Sequence, residues 1–213
     1  MKSKKDVKEI IKILKETYPE AECSLDFSNP FQMAIAVLLS AQCTDARVNI
    51  VTKELFKIAP NAKEMNKLTV EEIEKYISSC GLYKTKAKNI KKLAEKVVKE
   101  YDGNIPDNME ELMELPGIGR KSANVIMLEA FHNPQGVAID THAKRICNRI
   151  GISKEESPEK IEQDLLKKID KDEYFDANHL CVWHGRYTCK ARRPECERCT
   201  ITKYCNYFKI KNI

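Results

Sequence analysis

The 213-residue sequence has little of what marks several classes of protein. Its 7 glycines and 8 prolines are too few for a collagen-like or low-complexity chain. Its longest apolar run, Phe31 to Ala41, is shorter than the roughly 18 residues of a membrane span, so we expect a buried helix and no membrane partner. No apolar signal segment follows the basic N-terminus, which predicts a cytoplasmic protein, associated with the nucleoid in a prokaryote.

Sustained period-two alternation is also absent, so strands are not expected. Apolar residues instead recur at helical spacing, as in Val7, Ile10, Ile11 and Leu14, and capping residues or glycines separate these segments. The pattern predicts an all-α fold. With 37 basic and 32 acidic side chains, the net charge of +5 permits nucleic acid binding without requiring it.

Residues 108–131 predict two helices joined by a tight hairpin. Asp107 with Glu110 forms a potential capping box, and Pro-Gly-Ile-Gly at 116–119 cannot lie inside a helix. The second helix is expected to begin at about Gly119 or Arg120. Its free N–H groups, approached closely through Gly117 and Gly119, suit a phosphate.

Lys121 falls in the first turn of that second helix, where a cation opposes the helix dipole. The position alone leaves two interpretations open. Lys121 is either an ordinary solvated lysine or an amine placed where its neutral form is favoured.

Nine cysteines in a cytosolic chain are not expected to form structural disulfides. Five are scattered in apolar surroundings and are predicted to be small core residues: Cys23, Cys43, Cys80, Cys147 and Cys181. The last four have the spacing C-x6-C-x2-C-x5-C: Cys189, Cys196, Cys199 and Cys205. Zinc and an iron–sulfur cluster are both possible, and the long x6 and x5 loops favour a [4Fe–4S] cluster.

Basic side chains surround these four cysteines. We predict that Lys190, Arg192 and Arg193 both neutralise the anionic centre and contact DNA phosphates. Neutralisation alone is the simpler alternative.

The sequence resembles the endonuclease III family of base-excision DNA glycosylases over nearly its whole length. The resemblance rests on five segments in order: LSAQCTD at 39–45, GLYKTKA at 81–87, LPGIGRK at 115–121, VAIDTH at 137–142 and the four-cysteine spacing. It implies two helical domains with a DNA-binding cleft between them. One is a six-helix barrel at 22–133 that contains the helix-hairpin-helix. The other joins 1–21 to 134–213 and carries the cluster loop 189–205.

The same resemblance implies an enzyme with two activities on double-stranded DNA: it removes oxidised pyrimidines and cleaves the strand at the abasic site by β-elimination. Lys121 would form the Schiff base, and we expect it to be partly buried. Asp140 would be the catalytic carboxylate, although it also suits a plain N-cap. His142 either lines the same pocket or lies on a helix surface.

An enzyme that acts on a base inside a duplex must flip the base out and fill the gap. The resemblance assigns this task to Gln42 and Leu82, which otherwise read as a polar residue at a helix end and a loop leucine. Cys43 stands where many members have alanine, and Ser122 where many have threonine. Neither change removes a group that the chemistry needs.

Three rival functions remain. Related glycosylases act on adenine mismatches, but those lack the nucleophilic lysine and usually carry a further C-terminal domain. Others remove pyrimidine dimers or mismatched thymine, and pocket shape decides among these. A non-enzymatic, structure-specific DNA-binding protein is the rival from another class. We expect a monomer.

Overall fold

This computed structural model describes residues 1–211. Those residues contain no β-strand, which confirms the predicted all-α fold. In the same range none of the helices is both long and apolar enough to cross a bilayer.

Twelve α-helices occupy the described residues: α1 (Lys4–Thr17), α2 (Pro30–Ser40), α3 (Asp45–Ile58), α4 (Ala62–Met65), α5 (Val70–Ile77), α6 (Tyr83–Glu100), α7 (Met109–Glu114), α8 (Arg120–Glu129), α9 (Thr141–Ile150), α10 (Pro158–Leu166), α11 (Tyr174–Tyr187) and α12 (Asn206–Lys211). Three short 3₁₀ turns lie among the later helices: Lys171–Glu173, Cys196–Arg198 and Thr202–Tyr204.

The chain divides into two compact units. One is Ser24–Asn133 and contains α2 to α8. The other joins Met1–Cys23 to the described part of Pro134–Ile213 and contains α1 and α9 to α12.

The core of the unit Ser24–Asn133 forms around α2, whose residues 31–39 are all buried. The helix starts cleanly because Asn29 accepts a hydrogen bond from the N–H of Gln32 and Pro30 is the first helical residue. It packs against α3, α6 and α8. Since α4 is a single turn, the unit consists of six longer helices and this short one.

The other unit buries the predicted face of α1: Val7, Ile10, Ile11 and Leu14 are all in the core. The helix packs on α11, and α9 packs against α10, α11 and α12. The apolar face that the helical spacing predicts for α1 is therefore buried against the rest of the unit.

The sequence predicts some helix starts correctly and others not. Thr69 and Glu72 have the spacing of a capping box, and this box is present at the start of α5. The cap of α7 is Asn108, which accepts from the N–H of Glu111, rather than Asp107 with Glu110. Both residues of the Asp-Asn pair can cap, and the sequence pattern did not separate them. Thr85 suits a helix start by its residue type, but α6 begins at Tyr83.

Only three of the five scattered cysteines lie in the core. Cys80, Cys147 and Cys181 are buried, whereas Cys23 and Cys43 are half-exposed. The core prediction is wrong for these two, whose side chains are only partly covered by the residues around them.

Candidate functional site

The hairpin at 115–118 is a tight β-turn. The N–H of Ile118 donates to the carbonyl of Leu115 at 3.0 Å, and Gly117 has a φ of +84°. Pro at the second position and a positive φ at the third are the features of a type II turn. The turn joins α7 to α8, so the helix-hairpin-helix arrangement predicted for 108–131 is present.

The two glycines of the hairpin serve different purposes. A Cβ on Gly117 would lie 2.8 Å from Cδ1 of Leu38, so both the backbone conformation and the packing exclude a side chain. A Cβ on Gly119 would meet nothing within 4 Å. Gly119 is the N-cap of α8, a position that suits glycine better than alanine, and no packing contact requires its small size. The open space leaves room for a ligand to approach the backbone.

Lys121 is the second residue of α8, as predicted from the hairpin. Its side chain is exposed, so our expectation of partial burial is wrong. The helix directs its apolar residues, Ala123 and Ile126 among them, into the core. Lys121 lies in the exposed first turn of the helix, which leaves its amine accessible from solvent.

Gln42 and Leu82 are brought together within the same unit. Gln42 follows the end of α2, and Leu82 is the N-cap of α6. The backbone of both residues is in the left-handed conformation, with φ values of +54° and +58°. A Cβ on the neighbouring Gly81 would lie 3.2 Å from the carbonyl oxygen of Gln42, so the two turns are in contact. Leu82 is 62% exposed, unusual for a leucine and suited to a wedge.

Asp140 belongs to the other unit and is the N-cap of α9. Its Oδ1 accepts from the N–H of Ala143 at 2.7 Å. Within the described residues its Oδ2 accepts no hydrogen bond, so one carboxylate oxygen caps the helix and the other is available. The cap and the functional interpretation are therefore compatible.

Asp140 is held in place by two residues that the sequence pattern did not reveal. The segment Val137–Ile139 just before it is buried but not helical, so its N–H groups need partners. Asn178 accepts from the N–H of Ala138 at 2.8 Å, and Glu162 accepts from that of Val137 at 3.2 Å. The only sequence signal was a polar residue at each core-facing helical position.

His142 is half-buried against α11. A Cβ on Gly185 would lie 2.7 Å from Cβ of His142, so the backbone of α11 approaches this side chain closely. Its Nδ1 lies 3.1 Å from Nη2 of Arg145, whose Nη2 also donates to the carbonyl of Gly185. These contacts give His142 a packing role within its own unit.

The four late cysteines line one pocket, part of which is open to solvent. All four side chains are half-exposed. Burial raises the pKa of the Cys199 and Cys205 thiols, and the neighbouring cysteines raise both further. Each sulfur therefore lies within the electrostatic reach of the others.

Within residues 1–211, no three His, Cys, Asp or Glu side chains are grouped so as to hold one metal ion. Four thiols around one pocket are a donor set that suits either a tetrahedral zinc or an iron–sulfur cluster.

Arg149, on α9, holds one end of the cysteine loop. Its guanidinium donates to the carbonyls of Lys190 and Ala191 at 2.7 and 2.9 Å and lies 3.4 Å from Sγ of Cys189. It also stacks 4.7 Å above the ring of Tyr207. These contacts fix the loop at Cys189 without using a metal.

The predicted phosphate-binding cations differ in their surroundings. Lys190 pairs with Glu195, whose pKa is lowered chiefly by that contact. Arg192 and Arg193 are exposed, and neither forms an ion pair in the described part of the chain. The two arginines are thus available to an anionic ligand, while Lys190 already has a partner.

Comparisons with known proteins agree with this geometry. Residues 35–171 match the family described as HhH-GPD superfamily base excision DNA repair protein. Endonuclease III of Synechocystis sp. is 45% identical over 206 residues, covering 96% of this chain and 94% of that protein. Endonuclease III of Escherichia coli K12 is 42% identical over 199 residues, with 93% and 94% covered.

Solved structures give the same answer. A trapped endonuclease III–DNA covalent intermediate matches with a TM-score of 0.95 and 40% identity over the full length of both chains. A thermostable thymine-DNA glycosylase, at 23% identity and a TM-score of 0.87, shares the fold. Together, the hairpin, the loop of four cysteines and these matches show that the chain belongs to the endonuclease III family within the HhH-GPD superfamily.

Proposed function

We propose that this protein is a base-excision repair enzyme that removes oxidised pyrimidines from double-stranded DNA and then cleaves the strand at the abasic site. The observation that carries the proposal is the position of Lys121: an exposed amine in the first turn of a helix that follows an open glycine hairpin. The covalent protein–DNA intermediate described for a structure 40% identical to this chain supports the same chemistry.

Lys121 is the nucleophile of the proposed reaction. As the neutral amine, its Nζ attacks C1′ of the damaged nucleotide, the glycosidic bond breaks, and the base leaves with a proton. The attached nitrogen loses one proton, the C1′–O4′ bond breaks and O4′ takes up a proton, so the opened sugar is held as an iminium. Removal of a 2′ proton then breaks the bond to the 3′ phosphate.

Asp140 is the proposed catalytic carboxylate. It takes the proton from the lysine, directly or through water, and stabilises positive charge that develops on the sugar. The oxygen not used in capping α9 suits this role.

The hairpin and the two turns position the duplex. Backbone N–H groups at Gly117 and Gly119 contact phosphate, which fixes the duplex without reading its sequence. Gln42 and Leu82 fill the space of the flipped base. Arg192 and Arg193 add phosphate contacts, and Lys190 joins them if its pairing with Glu195 is exchanged.

We further propose that Cys189, Cys196, Cys199 and Cys205 hold a [4Fe–4S] cluster. The donor set is all thiol, the four cysteines line one pocket, and the long x6 and x5 loops between them favour a cluster over a single zinc. When bound, the cluster supplies the folding free energy of a loop that has little apolar content of its own. The protein is proposed to act as a monomer in the cytoplasm, on the nucleoid of a prokaryotic cell.

Borohydride trapping on a duplex with one abasic site tests the lyase assignment. Wild type should give a covalent adduct and Lys121→Ala none. Lys84→Ala is the matched control, because Lys84 is also the exposed second residue of its helix, α6. No adduct with wild type would contradict the proposal and favour a non-enzymatic DNA-binding protein. An equal adduct with Lys121→Ala would show that Lys121 is not the nucleophile.

A panel of duplexes separates the substrate classes. Oxidised pyrimidines, pyrimidine dimers and mismatched thymine are each scored for base release and, separately, for strand cleavage. The proposal requires release to be fastest from oxidised pyrimidines. Faster release of a dimer or a mismatched thymine would assign the protein to one of the rival specificities.

A further inference from the structure

Two thiols outside the proposed active site lie close together. Cys43 follows α2 and Cys80 follows α5. Cys80 is only 2% exposed, whereas Cys43 is half-exposed. Burial, followed by the nearby Cys43 thiol, raises the pKa of the Cys80 thiol to about 11.

The backbone brings these residues together independently of the thiols. The carbonyl of Gln42 lies 3.2 Å from where a Cβ on Gly81 would be, and these two residues directly adjoin the cysteines. The N–H of Cys43 donates to Ser40 at 3.1 Å and that of Cys80 to Ile77 at 2.9 Å. Each cysteine is therefore anchored to the end of its own helix.

The buried Lys86 fixes the chain just before Cys43. Its Nζ donates to the carbonyls of Leu39 and Ala41 at 2.8 and 2.6 Å. Lys86 and Arg47 also place positive charge near Cys80, and they lower the pKa of its thiol by less than burial and Cys43 raise it. This positive charge attracts an anionic oxidant.

We propose that Cys43 and Cys80 form a reversible intramolecular disulfide when the protein meets a small-molecule disulfide such as oxidised glutathione. The half-exposed Cys43 thiolate attacks the oxidant, forms a mixed disulfide and releases one thiol. Cys80 then loses its proton to solvent and attacks the Cys43 sulfur, which releases the second thiol. Two protein thiols are oxidised, and the oxidant is reduced to two thiols.

A second thiol pair provides an internal contrast. Cys181 raises the pKa of the Cys147 thiol, so these two thiols are also near each other, but they lie in the core at 0% and 8% exposed. No oxidant reaches a thiolate there in the folded protein. Accessibility of one partner, rather than pairing alone, therefore distinguishes the Cys43–Cys80 site.

Peptide mapping tests the proposal. The folded, metal-loaded protein is incubated with oxidised glutathione, alkylated while unfolded and digested without reductant. We expect a cross-linked peptide pair containing Cys43 and Cys80, two hydrogens lighter than the free thiols and lost on treatment with dithiothreitol. Cys147 and Cys181 should be recovered as alkylated thiols.

Two variants sharpen the test. Cys43→Ala should abolish the cross-link and leave Cys80 alkylated, whereas Cys23→Ala, which alters another half-exposed cysteine, should leave the cross-link intact. Glutathione on Cys43 with no link to Cys80, or a link from Cys43 to a different cysteine, would overturn the proposal.

Thermal unfolding gives a second readout. A disulfide that ties the two turns restricts the unfolded chain, so oxidised wild type should unfold several degrees higher than reduced protein. Cys43→Ala should show no such difference, and an equal shift in that variant would contradict the assignment. Neither measurement uses DNA, so failure of the repair function would leave the result unaffected.

Discussion

Asn178 accepts a hydrogen bond from the N–H of Ala138 at 2.8 Å, and its amide donates to the carbonyls of Gly136 and Tyr174 at 3.2 and 2.7 Å. A buried side chain of α11 thus holds the segment that leads to Asp140. Asn178→Ala should lower the free energy of unfolding by about 1–3 kcal/mol, because buried backbone groups lose their hydrogen-bond partners.

The same change should also slow base release by more than the loss of folded protein explains. A small misplacement of a catalytic group can cost about 100-fold in rate. Single-turnover assays, run where the variant is folded by circular dichroism, check this. Asn148→Ala is the control, because its amide also donates to a backbone carbonyl, that of Glu155, away from the segment. Equal activity losses in the two variants would contradict the positioning role.

Asp140→Asn separates capping from chemistry. Asparagine caps a helix as well as aspartate, so the free energy of unfolding should change by less than about 0.5 kcal/mol. Loss of the carboxylate should slow base release by about 100-fold or more. Asp140→Ser, another capping residue without charge, should behave alike. Wild-type turnover in both variants would show that Asp140 is only a cap.

Gly119→Ala tests the proposed phosphate contact. A methyl group there meets nothing in the protein, so stability should fall by at most about 1 kcal/mol, the cost of alanine at an N-cap. Affinity for any duplex, damaged or not, should drop about tenfold if a phosphate approaches this backbone. Fluorescence anisotropy measures both affinities, and unchanged binding would refute the contact.

Gly117→Ala is the contrasting variant of the hairpin. The positive φ and the clash with Leu38 predict a stability loss of about 1–3 kcal/mol, visible in thermal unfolding before any DNA is added. If Gly117→Ala were instead as stable as wild type, the steric account of the turn would be wrong.

Leu82→Ala should leave stability nearly unchanged because the side chain is 62% exposed. Affinity for an abasic-site duplex should fall about tenfold, while affinity for undamaged DNA stays within about twofold, because only an opened stack accepts the wedge. Ile50→Ala, at another exposed apolar residue of the same unit, is the control. Equal losses on both duplexes would assign Leu82 to general binding.

Arg149→Ala should loosen the cysteine loop. It removes two hydrogen bonds to backbone carbonyls and the stacking on Tyr207, so iron should be released to a chelator several-fold faster than from wild type. Visible absorbance follows the release, and limited proteolysis of the loop gives a readout without metal. Arg192→Ala, at an exposed arginine, should match wild type, and similar rates in all three proteins would refute the role.

Local sequence patterns predicted much of this fold. The face of α1, the cap of α5, the hairpin and the start of α8 all depend on interactions between residues close in the chain, which spacing and capping rules describe. The same rules failed to choose between Asp107 and Asn108, because neighbouring residues with equal capping ability differ only in their wider surroundings.

The sequence by itself determined that the chain is helical, that Gly117 and Gly119 flank a turn before Lys121, and that four cysteines share one loop. Tertiary structure alone decided that Lys121 is exposed, that Asn178 and Glu162 support the approach to Asp140, and that Cys43 lies close to Cys80. Helices are specified by contacts three or four residues apart. Burial and pairing depend on which distant segments pack together, and no local spacing encodes that choice.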